Sequence, residues 1–176
     1  MTTNPNIPYI IRNGKADDEA QLKELYSRVA AIPGGLARTL DEVTEPFIHA
    51  LLNKALSKGK IFVAEHNNTL IGMIVTYHVG PKALAHVLKD TTVLVDPQFQ
   101  GQGIGSRLIK TLLDDIEQHH PEILRVELFT RETNPALQLY KRMGFVEEGR
   151  FEHRIQNPDG TYVADIPLAW CNKNFN

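Results

Sequence analysis

The residues best suited to chemistry lie in the segment VLVDPQFQGQGIGS, where Gly101, Gly103 and Gly105 alternate with Gln100, Gln102 and Ile104 ahead of Ser106. An apolar run precedes these glycines and a helical pattern follows them. Bare backbone N–H groups and the positive end of a helix therefore converge on one spot, and such a spot binds phosphate. Glycine suits it because a Cβ would block close approach of a pyrophosphate and would resist positive φ. The competing reading is a tight strand-to-helix turn without a ligand, which fits an isolated GxG better than three alternate glycines.

Two other phosphate motifs fit poorly. A P-loop needs Lys and Ser/Thr directly after its last glycine, whereas Ser106 and Arg107 follow Gly105 and no lysine comes before Lys110. A Rossmann turn needs GxGxxG and an acidic residue about 20 positions on; here the spacing is GxGxG, and Asp114 and Asp115 fall within the following helical pattern. His119 and His120 adjoin at the end of that pattern, neither has the i, i+4 partner of a helical zinc site, and they read as capping or solvated groups. No His, Cys or carboxylate cluster has metal-ligand spacing, and no Ser or Cys occupies a nucleophile elbow, so neither a metal nor a covalent mechanism is indicated.

The elements that must hold the glycine loop can be read from periodicity. Residues 8–12 form a short strand, and Asp17 opens a helix carrying Leu22, Leu25, Tyr26 and Val29. Pro33, Gly34 and Gly35 break it. Thr39 with Glu42, or Thr44 ahead of Pro46, starts a second helix carrying Phe47, Leu51, Leu52, Ala55 and Leu56. IFVA at 61–64 and LIGMIV at 70–75 flank HNNT and make a hairpin. TTVLV at 91–95 leads to the loop, a helix runs from Ile104 until Pro121 stops it, and ILRVELF follows as a strand. Strand, helix and strand in about 40 residues form a βαβ unit with two parallel strands. A short helix at 135–142 ends at Gly144, a left-handed cap, before alternating residues from Phe145 to Gln156; NPDG then turns the chain into TYVADIPLAW. This order predicts an α/β sandwich with a mixed sheet.

The pattern Gln/Arg-x-x-Gly-x-Gly/Ala, matched by Gln100, Gly103 and Gly105 after a hydrophobic strand and Asp96-Pro97, resembles the acetyl-CoA signature of the GNAT N-acetyltransferases. NPALQLYKRMGF at 134–145 resembles a second motif of that family, and the element order agrees along nearly the whole chain. The resemblance implies a single domain over 1–176, with 1–6 as a flexible tail, folded as an α/β/α sandwich with a mostly antiparallel sheet and a splayed parallel strand pair. It implies that the backbone of Val93, Leu94 and Val95 pairs with a pantetheine arm. Residues 101–106, namely Gly101, Gln102, Gly103, Ile104, Gly105 and Ser106, would hold the pyrophosphate, Asn134 would touch the pantetheine, and Tyr140 would protonate the leaving thiolate. In relatives the Asn precedes the Tyr by seven residues, but Asn134 precedes Tyr140 by six. Many relatives also carry a glutamate five residues before the Asn, where this chain has Phe129.

Acetyl transfer to an amine needs a proton acceptor, since a lysine side chain has a pKa near 10.4 and an α-amino group near 8. Asp90, Glu127, His86 or a water relay are the alternatives. The final hairpin carries Arg150, Glu152, His153, Arg154 and Asp165, a polar set that suits a small zwitterion or else a solvated face. The resemblance to that family implies that the PGG loop at 33–35, residues 36–44 and this hairpin would wall the acceptor site. A small-molecule amine such as an amino acid or polyamine is the first expectation for the acceptor; an N-terminus or lysine of a protein is the second, and a non-catalytic acyl-CoA-binding module is a third possibility.

The chain of 176 residues carries 42% apolar and 23% charged residues and a formal net charge of −2. That length supports one ordinary globular core. No basic stripe exists for nucleic acid, and no run of 18 apolar residues could span a membrane. The N-terminus MTTNPNIPYI lacks signal-peptide character and Cys171 is the single cysteine, which fits a reducing, cytoplasmic setting in which Cys171 serves as a small apolar side chain. A homodimer stays open as an assembly.

Overall fold

A computed structural model describes residues 7–34 and 36–175. The expected tail at 1–6 and Gly35 of the PGG loop lie outside the described residues. Internal contacts divide the chain into two units, one of Met1–Val75 with Val93–Leu112, the other of Thr76–Thr92 with Leu113–Asn176.

The first unit opens with β1 (Ile10–Asn13), α1 (Glu19–Ala30), α2 (Glu45–Lys58), β2 (Gly59–His66) and most of β3 (Thr69–Tyr77). A 3-10 turn at Ala16–Asp18 delays α1 to Glu19, because the buried Asp18 carboxylate is engaged by Arg12 Nη1 and Nη2, both at 2.8 Å, and by the Lys15 N–H. Both starts read for the second helix exist. Thr39 and Glu42 close their own 3-10 turn, and Thr44 Oγ1 caps α2 by accepting from the Phe47 N–H at 3.3 Å. Leu22, Leu25, Tyr26 and Val29 of α1 and Ile48, Leu51, Leu52 and Ala55 of α2 are buried. β1 pairs antiparallel with β2. The β2–β3 hairpin turns on Asn67 and Asn68, whose φ values of 47° and 60° are those a two-residue loop requires.

The second unit contains the start of β4 (Val87–Val95), β5 (Arg125–Arg131), α4 (Ala136–Arg142), β6 (Val146–Glu147), β7 (Phe151–Gln156) and β8 (Tyr162–Cys171). β4 begins at Val87 rather than at Thr91, and pairs in parallel with β5 through Val87↔Arg125 and Leu88↔Val126. The pairing ends there, which is the short parallel contact expected of a splayed pair. β5 and β8 are antiparallel from Arg125↔Cys171 to Arg131↔Asp165, and β6 and β7 both pair with β8. The sheet is therefore mixed and mostly antiparallel, in an α/β fold. The run from Phe145 to Gln156 is two strands, β6 and β7, interrupted around Gly149 and Arg150. Cys171 is exposed at the end of β8 rather than packed as a small apolar side chain.

α3 (Ile104–His119) buries Ile104, Leu108, Ile109, Leu112, Leu113 and Ile116, as its period requires. No helix among the described residues is long and apolar enough to cross a membrane.

Candidate functional site

The first unit brings Val93–Val95 and Gln100–Ser106 together around the N-terminus of α3. A 3-10 turn at Pro97–Phe99 ends β4 and delivers the chain to Gly101 and Gly103, whose φ values are 77° and 76°. An L side chain rarely adopts that conformation, so glycine is demanded by the backbone. A Cβ placed on either residue would meet no protein atom within 4 Å. The space above the loop is thus open to a ligand rather than filled by the protein. Gly105 is already helical. The first α3 hydrogen bond runs from the Arg107 N–H to the Gly103 carbonyl at 3.0 Å. The N–H groups of Ile104, Gly105 and Ser106 precede it and have no carbonyl one turn back to bond within the helix, which leaves them as anion donors. Gln102 Oε1 is buried in the same loop with no hydrogen-bond partner.

Leu94 is buried, while Val93 and Val95 are partly exposed. The Val95 carbonyl is already engaged, accepting from Gln100 Nε2 at 3.2 Å.

Sequence reading missed what holds this loop. Asp96 is buried, and its Oδ2 receives Arg28 Nε from α1 at 2.6 Å while its Oδ1 caps the Gln98 N–H at 3.0 Å. Arg28 Nη2 also donates to the Leu70 carbonyl at 3.0 Å, and the Asp96 N–H bonds the Ile71 carbonyl at 2.9 Å. One arginine therefore fastens α1, β3 and the entry of the loop. Gly72 completes the support, since a Cβ there would stand 3.0 Å from Ile104 Cγ2 and 3.1 Å from Leu108 Cδ1. The absent side chain lets α3 lie directly on β3. A cavity of about 700 Å3 opens beside α1 and α2, lined by Lys23, Glu24, Ser27, Arg28 and Glu45 among others.

The second unit holds Tyr140 and Asn134. Tyr140 lies on α4 and is buried, its ring edge-on to Phe145 at 6.0 Å. Burial pushes its phenol up to about 12, so the hydroxyl keeps its proton at neutral pH. The left-handed Gly144, at φ 93°, closes α4, and the Phe145 N–H returns to the Tyr140 carbonyl at 3.1 Å. Asn134 has a structural task of its own: Oδ1 accepts from the Ala136 N–H at 2.9 Å and starts α4. Its Oδ1 is therefore committed to the helix that carries Tyr140.

Of the three candidate bases, Glu127 accepts from Arg125 Nε at 2.7 Å. Asp90 is exposed with φ 52°, and the His86 ring lies 6.3 Å from that of Phe175. On the final hairpin, Arg150 pairs with Glu132 and Glu152, and Arg154 Nε approaches Asp165 Oδ2 at 3.5 Å. His119 and His120 pair with Asp115, and His120 also with Glu122. Among the described residues no group of three or more His, Cys, Asp or Glu could hold a metal ion.

The chain matches the acetyltransferase (GNAT) domain family over residues 57–147, slightly more than half its length, and so belongs to that family. It is 32% identical over 91 residues to a mycothiol acetyltransferase of Brachybacterium faecium, a match that covers 51% of this chain and 27% of that protein. The chain thus spans about a quarter of that relative. Among solved structures it is similar to a GNAT-family acetyltransferase of Streptococcus pneumoniae, with a TM-score of 0.84 at 21% identity over 93% of this chain and 99% of the other. A phosphinothricin acetyltransferase of Sinorhizobium meliloti, solved in complex with AcCoA, has a TM-score of 0.82 at 14% identity over 96% and 90% of the two chains. These two likenesses bear on the fold.

Proposed function

We propose that residues 1–176 act as one acetyltransferase domain that moves acetyl from acetyl-CoA to a primary amine of a small molecule such as an amino acid or polyamine. The observation that carries this reading is the loop from Gln100 to Ser106, with two left-handed glycines on which a Cβ would meet no protein atom, directly ahead of the first turn of α3. Membership of the GNAT family supports the donor, and the name of the curated relatives, mycothiol acetyltransferase, supports a small acceptor.

The residues present fit a CoA pyrophosphate. Gly101 and Gly103 leave its oxygens room, and the N–H groups of Ile104, Gly105 and Ser106 would bind them in the field of α3. The backbone of Val93–Val95 would hold the pantetheine arm by pairing, with the Val95 carbonyl already accepting from Gln100 Nε2. When bound, acetyl-CoA supplies an activated thioester. Tyr140 keeps its proton on Oη. A thiol, with a pKa of about 8.5 for a cysteine side chain, is the stronger acid, so the phenol would steady a leaving thiolate by donating a hydrogen bond to it, and complete transfer of the proton would run uphill. For the amine proton, Asp90, His86 or a water relay fit better than Glu127, which Arg125 already engages.

Thiol release from acetyl-CoA, followed with free amino acids, polyamines and short peptides, tests the reading. Turnover with free amines and not with peptides is expected. Tight CoA binding without turnover of any amine would instead favour a binding module, and preference for peptides would favour a protein substrate.

A further inference from the structure

Phe129 lies on β5 beyond the two residues that pair with β4, in the position where the strand has no parallel neighbour in register, and its side chain is 45% exposed. Phe151 at the start of β7 is 44% exposed, and the two rings stack at 6.0 Å with an interplanar angle of 24°. Two exposed phenylalanines on neighbouring parts of one sheet face form an apolar surface that a solvated hairpin has no use for.

Arg154 is laid across them. Its guanidinium carbon stands 5.0 Å from the Phe129 centroid and 4.7 Å from that of Phe151. In a regular strand, residues three apart point to opposite faces, so Phe151 and Arg154 should diverge. They converge because the β7–β8 register shifts between Phe151 and Ile155, where His153 adopts φ 54°. A non-glycine residue in that region is strained, and the strain is spent on aiming one arginine. The arginine is then only loosely engaged: Nε is 3.5 Å from Asp165 Oδ2, and half of the side chain is exposed. Asp165 is itself buried, faces Arg131 as well as Arg154, and is held above the usual carboxylate range by that burial.

We propose that Phe129, Phe151 and Arg154 are the acceptor's binding platform, with Arg154 taking a carboxylate, so that the amine acetylated is that of a free amino acid with an apolar side chain. The guanidinium fork matches a carboxylate in two parallel hydrogen bonds, and propping it on the rings reduces the freedom lost on binding. The rings supply surface for the apolar side chain. Asp165 offers opposite charge beside Arg154, which complements a zwitterion rather than a simple anion. This inference rests on the small-amine transferase reading above.

The experiment compares leucine, methionine and phenylalanine with their amides, which keep the amine and side chain but lack the carboxylate, in the wild type, Arg154→Met and Arg154→Lys. Initial rates give kcat/KM, and CoA-induced shifts in melting temperature report whether fold and donor binding persist. The wild type should prefer each acid over its amide by about 10- to 100-fold, the range of a charged hydrogen-bond pair. Arg154→Met should bring that ratio to within about threefold of one while the CoA-induced shift persists, and Arg154→Lys should restore part of it. A wild-type ratio near one, or a ratio that survives in Arg154→Met, overturns the platform and leaves the transferase reading standing. If no amine is turned over, that reading fails first, and calorimetric titration of the CoA-saturated protein with the same pairs decides the platform: acid binding lost in Arg154→Met upholds it, and absence of acid binding overturns it.

Discussion

Arg28 Nε lies 2.6 Å from Asp96 Oδ2, joining a helix near the start of the chain to the residue that follows β4, 68 positions later, at the entry of the glycine loop. The carboxylate is 6% exposed and the guanidinium 33%. The pair sits where β4 ends, and the same carboxylate caps the turn that aims Gly101 and Gly103.

Arg28→Met removes this fastening and leaves Asp96 buried without its cation. Breaking fully buried pairs costs about 3–5 kcal/mol, and the partial exposure of Arg28 reduces that to about 2 kcal/mol. Chemical denaturation should show the loss, and CoA affinity should fall at least tenfold. Unchanged CoA affinity would mean that the loop holds its shape without α1.

Gly103→Ala separates backbone strain from ligand exclusion. The protein leaves a Cβ room, so stability should fall by only about 1–2 kcal/mol for the left-handed φ. The methyl group would instead stand in the path of a pyrophosphate. Isothermal titration should find CoA binding weakened by more than that strain alone explains; a matching pair of losses would argue against pyrophosphate over Gly103.

Tyr140→Phe should lower kcat by about 10²–10⁴-fold with the KM for acetyl-CoA little changed. The pH profile adds an independent sign. A tyrosine at its ordinary value near 10 would lose its acid form across pH 9–11, whereas burial has moved this one up to about 12. Rates should therefore show no fall below about pH 11 that vanishes in the phenylalanine variant. A Tyr140-dependent fall centred near pH 10 would contradict the buried phenol.

Asn134 can be split into two roles. Asn134→Asp keeps the oxygen that caps α4, while Asn134→Ala loses it and should cost about 1 kcal/mol of stability. If the amide nitrogen also touches pantetheine, Asn134→Asp should raise the KM for acetyl-CoA without loss of stability. Identical behaviour of Asp and wild type in both assays would leave Asn134 a cap alone.

Much of the architecture was legible because it is local. The helical spacing of Leu22, Leu25, Tyr26 and Val29, the Asn67-Asn68 turn, Gly144 and NPDG each carry their own backbone instruction. The apolar run marks β4 only from Thr91, four residues short of its start at Val87, since Lys89 and Asp90 interrupt the run and Asp90 breaks the extended backbone with φ 52°. The alternation that persists across Gly149 and Arg150 hides the break between β6 and β7. The loop glycines were visible for the same local reason that the helices were. Arg28 and Gly72 were not, nor was the meeting of Arg154, itself visible in the polar set of the final hairpin, with Phe129 and Phe151: each depends on a partner distant in sequence or on a register shift, and neither periodicity nor spacing records such a meeting.

In the proposed function, the loop from Gln100 to Ser106 binds the pyrophosphate of CoA. Calorimetric titration with CoA and with pantetheine, which keeps the arm but lacks the pyrophosphate, measures it directly. The wild type should bind CoA at least 100-fold more tightly, and Gly101→Ala combined with Gly103→Ala should erase most of that difference. Equal affinity for the two ligands, or no CoA binding at all, would contradict it.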